Sequence, residues 1–595
     1  MRALLLLTLA TTMMFGQPPD GAKLYQVRCG VCHNEANPRA PSLENMRARS
    51  PESILATLTT GVMRVQGAKL NGAERRAIAE FVTGKTLGGN ATGSAQGLCP
   101  SQPRFEMKGA PLWHGWGPDH TNTRFTASAG FTAEQVPQLK LRWAFGFPDA
   151  ASAWAQPALA GGRVFVGSQN GTVFSLDART GCIYWTFSAN GGVRTGMSLA
   201  ARKSGKGYLV LFGDTSANMY AVDASTGKQV WRTTVEQHPA ARVTGSPTLY
   251  GDRIYVPMSS YEEAQGSNPD YECCTFRGSL SALDVETGRI IWKTYTVATE
   301  PKRRGISSTG KPLYGPAGVA IWSAPTVDTK RKLVYAATGN TYSDPDQPTS
   351  DSVVAFDLAT GKIRWIRQAT PGDVYITGCR GGAANNPNCP QESGPDYDFG
   401  TSPILVNIDG KDLLVVGQKS GVGFALDPDK QGAIVWQYRA GEGGALGGIE
   451  WGTAVDAEKA YFPLSDITRP KPGGLHAVDL KTGQRVWYAP PAPPACGTPG
   501  RGCNAAQPSA PSIIPGVIFA GSNDGAIRAH STTDGKLLWE FNTNREFDTV
   551  NGVPARGASM HGPGPAIGGG MMFLNSGYGA FGGRPGNVLL AFGVD

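Results

Sequence analysis

Ala282-Leu-Asp-Val-Glu-Thr-Gly-Arg-Ile-Ile-Trp292 reads as a small residue, an apolar residue, Asp, two variable positions, Thr-Gly, three further positions and Trp. The pattern returns as SLDARTGCIYW ending at Trp185, AVDASTGKQVW at Trp231, AFDLATGKIRW at Trp365 and AVDLKTGQRVW at Trp487. Looser copies end at Trp436 and Trp539. Self-similarity at a spacing of tens of residues is the mark of an array, and here the unit is β. An apolar strand runs into a tight turn and returns as a second strand ending in Trp. Gly supplies the positive φ of the turn, and Asp bonds its own downstream backbone. The indole is suited to packing between neighbouring sheets with its N–H on a partner. One such unit cannot bury both faces, so the copies stack on one another.

Seven copies are complete, and an eighth is divided between distant parts of the chain. Asn587-Val-Leu-Leu-Ala-Phe592 is the first half of the motif, and Leu139-Lys-Leu-Arg-Trp143 is the second. Pairing them closes an all-β, eight-bladed propeller and leaves no open sheet edge. The alternative is an open β solenoid, but a solenoid needs capping ends rather than complementary halves.

The chain has 595 residues, enough for a propeller plus a small extra domain. Its 79 Gly and 43 Pro accompany abundant aromatic and β-branched residues, so they fit many turns rather than disorder. The net charge of +8 is spread thinly with no dense Lys/Arg run, which argues against a nucleic-acid partner. Residues 1–16 carry one early positive charge and then an apolar run too short to span a bilayer. They read as a signal peptide that sends the chain to the periplasm. No later stretch suggests an integral membrane span. The ten Cys then meet an oxidising compartment in which disulfides form.

Cys29-Gly-Val-Cys-His33 is C-x-x-C-H, the attachment motif of a c-type haem. A zinc ribbon would need a second Cys pair nearby, and the next Cys is Cys99. A thioredoxin-like pair would need a βαβ surround, which is missing. Downstream, Gly61-Val-Met63 opens a loop that precedes a helical run from Arg75 to Val82. This resembles the class I cytochrome c pattern, which implies His33 and Met63 as axial ligands of one covalent haem, with Met46 as competitor. The expected organisation is a small all-α cytochrome c domain over 17–86, a Gly/Ser/Thr-rich linker over 87–105 and the propeller over 106–595.

A haem domain followed by this propeller resembles the pyrroloquinoline quinone (PQQ) alcohol dehydrogenases. The cytochrome-first order resembles their polyvinyl alcohol dehydrogenase branch. The repeat alone is shared with scaffold propellers of outer-membrane assembly, so the resemblance rests on its sites. Thr338-Gly-Asn340 resembles the family's metal-binding Thr-Gly-Asn, and Trp322 its quinone platform. Thr244, in a Thr-Gly-x-Pro turn, corresponds to a cofactor contact, and Glu262 to a metal ligand, with Glu263 and Glu272 as rivals. Lys419 corresponds to the basic residue that polarises the quinone oxygens; a solvated loop Lys is the other reading. Arg194 corresponds to a cofactor-carboxylate contact, and Trp451 to the substrate side.

In Gly394-Pro-Asp396-Tyr-Asp398, the resemblance makes Asp396 the catalytic base and a metal ligand. The family's default metal is Ca²⁺. Asp398 is the extra carboxylate that resembles the lanthanide-using members. The resemblance also implies a vicinal disulfide over the quinone, but at a different point of the sequence from Cys273-Cys274, so that pair is left either bridged or apart. Cys379 with Cys389 and Cys496 with Cys503 read as local staples, leaving Cys99 with Cys182. The implied activity is oxidation of an alcohol, with electrons passing to the tethered haem and then to an external acceptor such as a soluble cytochrome. A PQQ-dependent sugar or aldehyde dehydrogenase and a non-catalytic scaffold are the alternatives.

Overall fold

The computed structural model describes residues 19–30, 32–33, 43–47, 49, 51–59, 63–67, 69–70, 72–85, 97–107, 109–110, 112–148, 150–379, 386–497 and 502–594. The expected signal peptide and most of the expected linker lie outside them. Eight antiparallel sheets form the propeller among the described residues, seven of four strands and the third of five, and all but the last come from one continuous stretch of chain. Blade 1 spans Ala158–Ser188, and blade 7 spans Ser512–Asn542. Blade 8 takes three strands from Ala566–Gly593 and its outermost strand from Lys140–Gly146. The two halves of the divided motif therefore meet as read, with Trp143 opposite Ala591.

The repeat holds the ring together through a contact that passes from blade to blade. Within each blade the motif's small residue sits opposite its Trp, as Ala221 does with Trp231 and Ala282 with Trp292, beside a shift in register. The small side chain leaves room for the indole, which turns toward the next blade. There the ring lies against the next motif's turn glycine. A Cβ on Gly288 would come within 2.5 Å of the Trp231 ring, and one on Gly361 within 2.4 Å of Trp292. Both glycines have positive φ, so the turn and the close approach demand the same residue. In six blades the indole N–H reaches a carbonyl of that next turn, whereas those of Trp292 and Trp365 are buried without one. Trp185 donates to Ala224 O at 2.9 Å, Trp231 to Val285 O at 2.9 Å and Trp436 to Leu480 O at 2.8 Å. The circuit closes through blade 8, where Trp539 donates to Leu139 O at 3.2 Å and Trp143 to Ala178 O at 3.1 Å. Each motif Asp caps its turn as expected; Asp284 accepts from the amides of Glu286 and Thr287 and from the Thr287 hydroxyl.

Residues 112–126 bond the innermost strands from inside the ring. Trp113 pairs with Leu159 in blade 1, His120 O accepts from Val327 N in blade 4, and Arg124 O accepts from Ile513 N in blade 7. Arg124 is fully buried between the rings of Trp113 and Trp116, and desolvation lowers its pKa to about 9. Its guanidinium instead donates to the carbonyls of Pro511 and Trp116 and to Ser512 Oγ.

The N-terminal unit is helical: α1 (Gly21–Arg28), α2 (Leu43–Arg47), α3 (Pro51–Thr59), α4 (Arg64–Gly67) and α5 (Gly72–Thr83). Its core gathers Tyr25, Leu55, Leu58, Ile78 and Val82. α1 crosses α5 at Gly21, where a Cβ would come within 2.1 Å of Ala77 O. Residues 97–105, expected to belong to a flexible linker, instead run along blade 1. Cys99 is bonded to Cys182, Cys99 N donates to Ile183 O, and Phe105 packs in the core between blades 1 and 2. A disulfide and a backbone bond outweigh the flexibility that the Gly/Ser composition suggests.

Candidate active site

In an antiparallel blade, the segment entering the innermost strand and the turn between the second and third strands lie at the same end. The candidate residues come from these two kinds of segment. Arg194, Thr244, Trp322, Asp396, Asp398 and Trp451 lead into blades 2 to 6. Glu262, Glu263, Cys273 and Cys274 lie between the second and third strands of blade 3, Asn340 in blade 4 and Lys419 in blade 5. The sequence motifs, far apart along the chain, thus converge on one mouth.

At its centre is a buried cluster of charge. Lys419 is not a solvated loop lysine: its Nζ donates to Asp396 Oδ1 at 2.6 Å and to Asp398 Oδ2 at 3.3 Å. Burial works against the ammonium, but Asp396, Asp398 and Glu263 outweigh it and hold it charged. The surplus negative charge falls on the neighbours. Burial, with Asp398 and Glu263 adding to it against Lys419, pushes the Asp396 carboxyl well up. Burial and then Asp398 push Glu263 up to about 7, and burial pushes Asp373 up to about 6. Asp373 fixes the loop by accepting from the amides of Asp396, at 3.1 Å, and Tyr397, at 2.7 Å. Asp396 has φ +61°, so these bonds hold it in a conformation an L residue seldom adopts.

Asp398 turns inward. Its Oδ1 accepts from Asn340 N at 2.8 Å and its Oδ2 from Trp322 Nε1 at 3.2 Å. Gly339 permits this approach, since a Cβ there would meet Asp398 Oδ1 at 2.8 Å. Asn340 gives its side-chain N–H groups to Thr341 O and Tyr375 O, at 2.8 and 2.7 Å, which leaves its amide oxygen as the free end.

Glu262, the metal-ligand candidate of the sequence reading, and its rival Glu263 have different surroundings. Glu262 is fully buried and engaged: it accepts from Tyr271 Oη, Thr275 N and Phe276 N at 3.0, 2.8 and 2.7 Å. Burial alone would raise its pKa, but His238 and those amides outweigh burial and hold it low. Its carboxylate braces the loop carrying Cys273-Cys274. Glu263 is the one that shares the electrostatic surroundings of Asp398, Lys419 and Asp373. Adjacent positions on the short helix Glu262–Gln265 point in different directions, and register arguments across an insertion do not distinguish them.

Beside the charge cluster is a cavity of about 310 Å³ including its open mouth, lined by Trp116, Trp154, Arg194, Ser246, Trp322 and Trp451. Gly400 lets the Trp322 ring sit there, since a Cβ would lie 2.0 Å from it. Trp322 also packs against the apolar cluster that holds Cys273 and Cys274, which are bonded to each other. The expected staples Cys379–Cys389 and Cys496–Cys503 are present too. The Arg194 guanidinium lies 4.1 Å over the Trp451 ring, with no hydrogen-bond partner among the described residues. Thr244 Oγ1 is 2.6 Å from Ser259 Oγ. A flat aromatic platform beside an uncommitted guanidinium fits a planar polycarboxylate such as PQQ. The oxygen donors Glu263, Asn340 and Asp396 suit a hard cation, although among the described residues no three acidic, His or Cys side chains are already gathered as a metal cage.

In the helical unit, Cys29 and Cys32 are not joined in a disulfide. Cys32 N and His33 N bond back to Cys29 O at 3.0 and 2.9 Å, so the motif forms one turn at the end of α1. Met63 and Cys29 pack half-buried against the core in which Met46 is enclosed. Sequence reading missed Trp154 in the cavity wall, Asp373 behind Asp396, and Tyr578 and Glu450, which both act electrostatically on Arg194; none carries a motif. Only the three-dimensional position of the loops brings them to the mouth.

Three family descriptions match parts of the chain. The β-propeller domain of glucose/ethanol/alcohol dehydrogenases covers residues 113–376, the outer membrane protein assembly factor BamB covers 276–540, and the cbb3-type cytochrome c oxidase subunit III covers 16–82. The polyvinylalcohol dehydrogenase of a Pseudomonas species is 42% identical over 97% of this chain and 94% of its own. That of Sphingopyxis sp. (strain 113P3) is 40% identical over 97% and 93%. The solved quinohemoprotein alcohol dehydrogenase of Comamonas testosteroni superposes with a TM-score of 0.59 at 19% identity over 82% of this chain and 80% of its own, a likeness of fold. The match to BamB lies within the repeat region, whereas the full-length relatives align over 97% of the chain. The chain belongs to the polyvinylalcohol dehydrogenase family and is a PQQ-dependent, cytochrome-linked alcohol dehydrogenase.

Proposed function

We propose that the substrate is a polymeric secondary alcohol, oxidised at Asp396 in the periplasm. One observation carries the substrate class. A run of rings leads from the surface to the charge cluster: Phe581, 43% exposed, lies 5.8 Å from Trp451, which lies 4.8 Å from Trp322. Tyr578 flanks the run, 6.2 Å from Phe581. An aromatic track suits a chain that alternates methylene and hydroxyl-bearing carbons, because rings bind its apolar edge while its hydroxyls stay free. A small sugar would need a denser set of hydrogen-bond donors.

When bound, PQQ supplies the two-electron acceptor and haem c the one-electron carrier that follows it. Asp396, held on its loop by Asp373 and Lys419, is the general base that takes the hydroxyl proton of the alcohol. Lys419 holds Asp396 in place and supplies positive charge beside the reacting oxygen. Trp322, oriented by Asp398, and Arg194 would hold the quinone by its face and its carboxylate edge, with Thr244 and the Cys273–Cys274 disulfide alongside. Glu263, Asn340 and Asp396 would hold Ca²⁺ as a Lewis acid. Both Asp398 oxygens are already committed to Asn340 N, Trp322 and Lys419, which favours Ca²⁺ over a lanthanide. His33 and Met63 would hold the iron of haem c, residues 1–16 would serve as a cleaved signal peptide, and the external acceptor would be a soluble cytochrome or a respiratory-chain component.

The experiment compares wild type, Asp396→Asn and Phe581→Ala on polyvinyl alcohol and on a small secondary alcohol. Asp396→Asn should lose about a hundred- to ten-thousand-fold in kcat on both while still binding PQQ. Phe581→Ala should raise KM for the polymer alone. Equal effects of Phe581→Ala on both alcohols would remove the polymer reading, and near wild-type turnover of Asp396→Asn would remove the base.

A further inference from the structure

The helical domain reaches the propeller through a buried arginine that none of these roles uses. Arg75, on α5, is only 6% exposed. Its Nη1 donates to Gly67 O at 3.1 Å and its Nη2 to Ser216 Oγ at 3.0 Å, so one guanidinium joins the two domains. Both footholds are firm. Gly67 closes α4, the helix that begins next to Met63, and Gly67 N bonds to Met63 O at 2.9 Å. A Cβ on Gly67 would lie 1.9 Å from Leu58 O, so this end of α4 is pressed against α3.

On the other side, Ser216 lies in the turn between the second and third strands of blade 2, at the mouth end. That turn is built on Asp214, fully buried and bonded by Gly191 N, Ser216 N, Asn218 N and Tyr220 Oη at 3.0, 2.8, 2.9 and 2.8 Å. Burial lowers the Arg75 pKa, and the charge of Asp214 is the first influence opposing it.

The position of this turn matters more than its stability. Thr215 N bonds to Gly192 O, in the segment that carries Arg194. Val243 N bonds to Asp214 O, in the segment that carries Thr244 and the cavity-lining Ser246. The foothold of Arg75 is therefore tied to two walls of the quinone cavity. Its other end is tied to the helix that starts at the Met63 loop.

We propose that Arg75 is the latch that seats the haem domain on blade 2, and that electrons leave the cavity across this seat. The inference rests on the family's use of PQQ and haem c and not on the choice of substrate. Oxidation of one secondary alcohol to a ketone releases two electrons and two protons. The electrons cross the seat one at a time to the single haem, which an external one-electron acceptor must reoxidise twice per turnover, and the protons pass to solvent. Arg75 touches no reacting atom; it is a positioning residue that keeps the two redox centres at a fixed separation, as a tether alone does not.

The test uses the full-length holoenzyme with Arg75→Ala and Ser216→Ala, the latter removing the propeller-side acceptor without touching the haem domain. Haem reduction after mixing with alcohol is followed by its absorbance, and in parallel the reduction of a phenazine dye that takes electrons directly from the quinone. Hydrogen exchange is measured over 72–83 and 213–218. The latch predicts haem reduction slowed by about tenfold or more in both variants, a dye rate within about twofold of wild type and faster exchange in both segments. Arg75→Lys, which retains the charge but cannot span both acceptors, should fall between. Unchanged haem reduction in Ser216→Ala overturns the proposal, with or without faster exchange. So does an equal fall of haem and dye rates, which would make the contact a general support of the fold.

Discussion

Glu262 and Glu263 stand next to each other, and their carboxylates do different work. Glu262 braces the disulfide loop through two backbone amides and a tyrosine hydroxyl, whereas Glu263 faces the charge cluster. Glu262→Ala should destabilise the protein by about 3 kcal/mol in denaturant unfolding, because it strips partners from buried donors. Glu263→Gln should leave that midpoint nearly unchanged and weaken Ca²⁺ binding to the metal-free protein by about tenfold or more, measured by calorimetry. Equal calcium affinity in Glu263→Gln and wild type would remove it from the ligand set. The sequence reading named Glu262 with Glu263 and Glu272 as rivals, because an insertion before Arg277 blurs the alignment with the family pattern, and local sequence carries no sign of which neighbour is braced by amides. Lys419 is the converse case. Its local composition read equally well as a surface lysine, and only the packing of two loops from the same blade buries it against Asp396. What a sequence states poorly is direction: Asp398 could have faced outward on its own, and it is the N–H of Asn340 and the indole of Trp322 that turn it in.

The blade motif was legible in full because each of its residues is needed twice. Its glycine satisfies the turn and the neighbouring indole, and its small residue makes room for the Trp of its own blade. Constraints that act within one blade and between two leave the same trace at every copy, so repetition amplified them. The copies are nonetheless not equal. Trp231 donates to Val285 O, whereas Trp292 Nε1 is buried without a partner. Trp231→Phe and Trp292→Phe remove similar ring area, but only the first removes a hydrogen bond and leaves a carbonyl unpaired. Trp231→Phe should therefore cost about 1–2 kcal/mol more than Trp292→Phe in urea unfolding at equal m-value. Equal costs would mean that the indole N–H contributes nothing to the joint between blades.

At the scale of the whole molecule, the mouth serves two directions of traffic. The haem domain sits over the blade 2 side through Arg75, and the ring-lined track opens by Phe581 in the segment between the last two strands of blade 8. The eighth blade joins Lys140–Gly146 to Val588–Gly593, a pairing of nearly the full width of the propeller chain. Removing residues 587–595 should abolish the single cooperative unfolding transition and expose apolar surface to a hydrophobic dye, although every other strand remains; a truncated chain that unfolds like wild type would show the closure to be dispensable.

That closing strand also sets an order in time. The chain is made from its N-terminus, so the helical domain and seven blades can form before Val588–Gly593 has left the ribosome. Until then the strand of Trp143 waits with an unpaired edge, and the ring stays an open arc. Completion is a single late event that joins residues near the two extremes of the propeller, at a loop-closure cost that grows only with the logarithm of the span. The ring is therefore closed only by Val588–Gly593, and a stop before that strand would release seven blades and a sticky edge ready to pair with another copy.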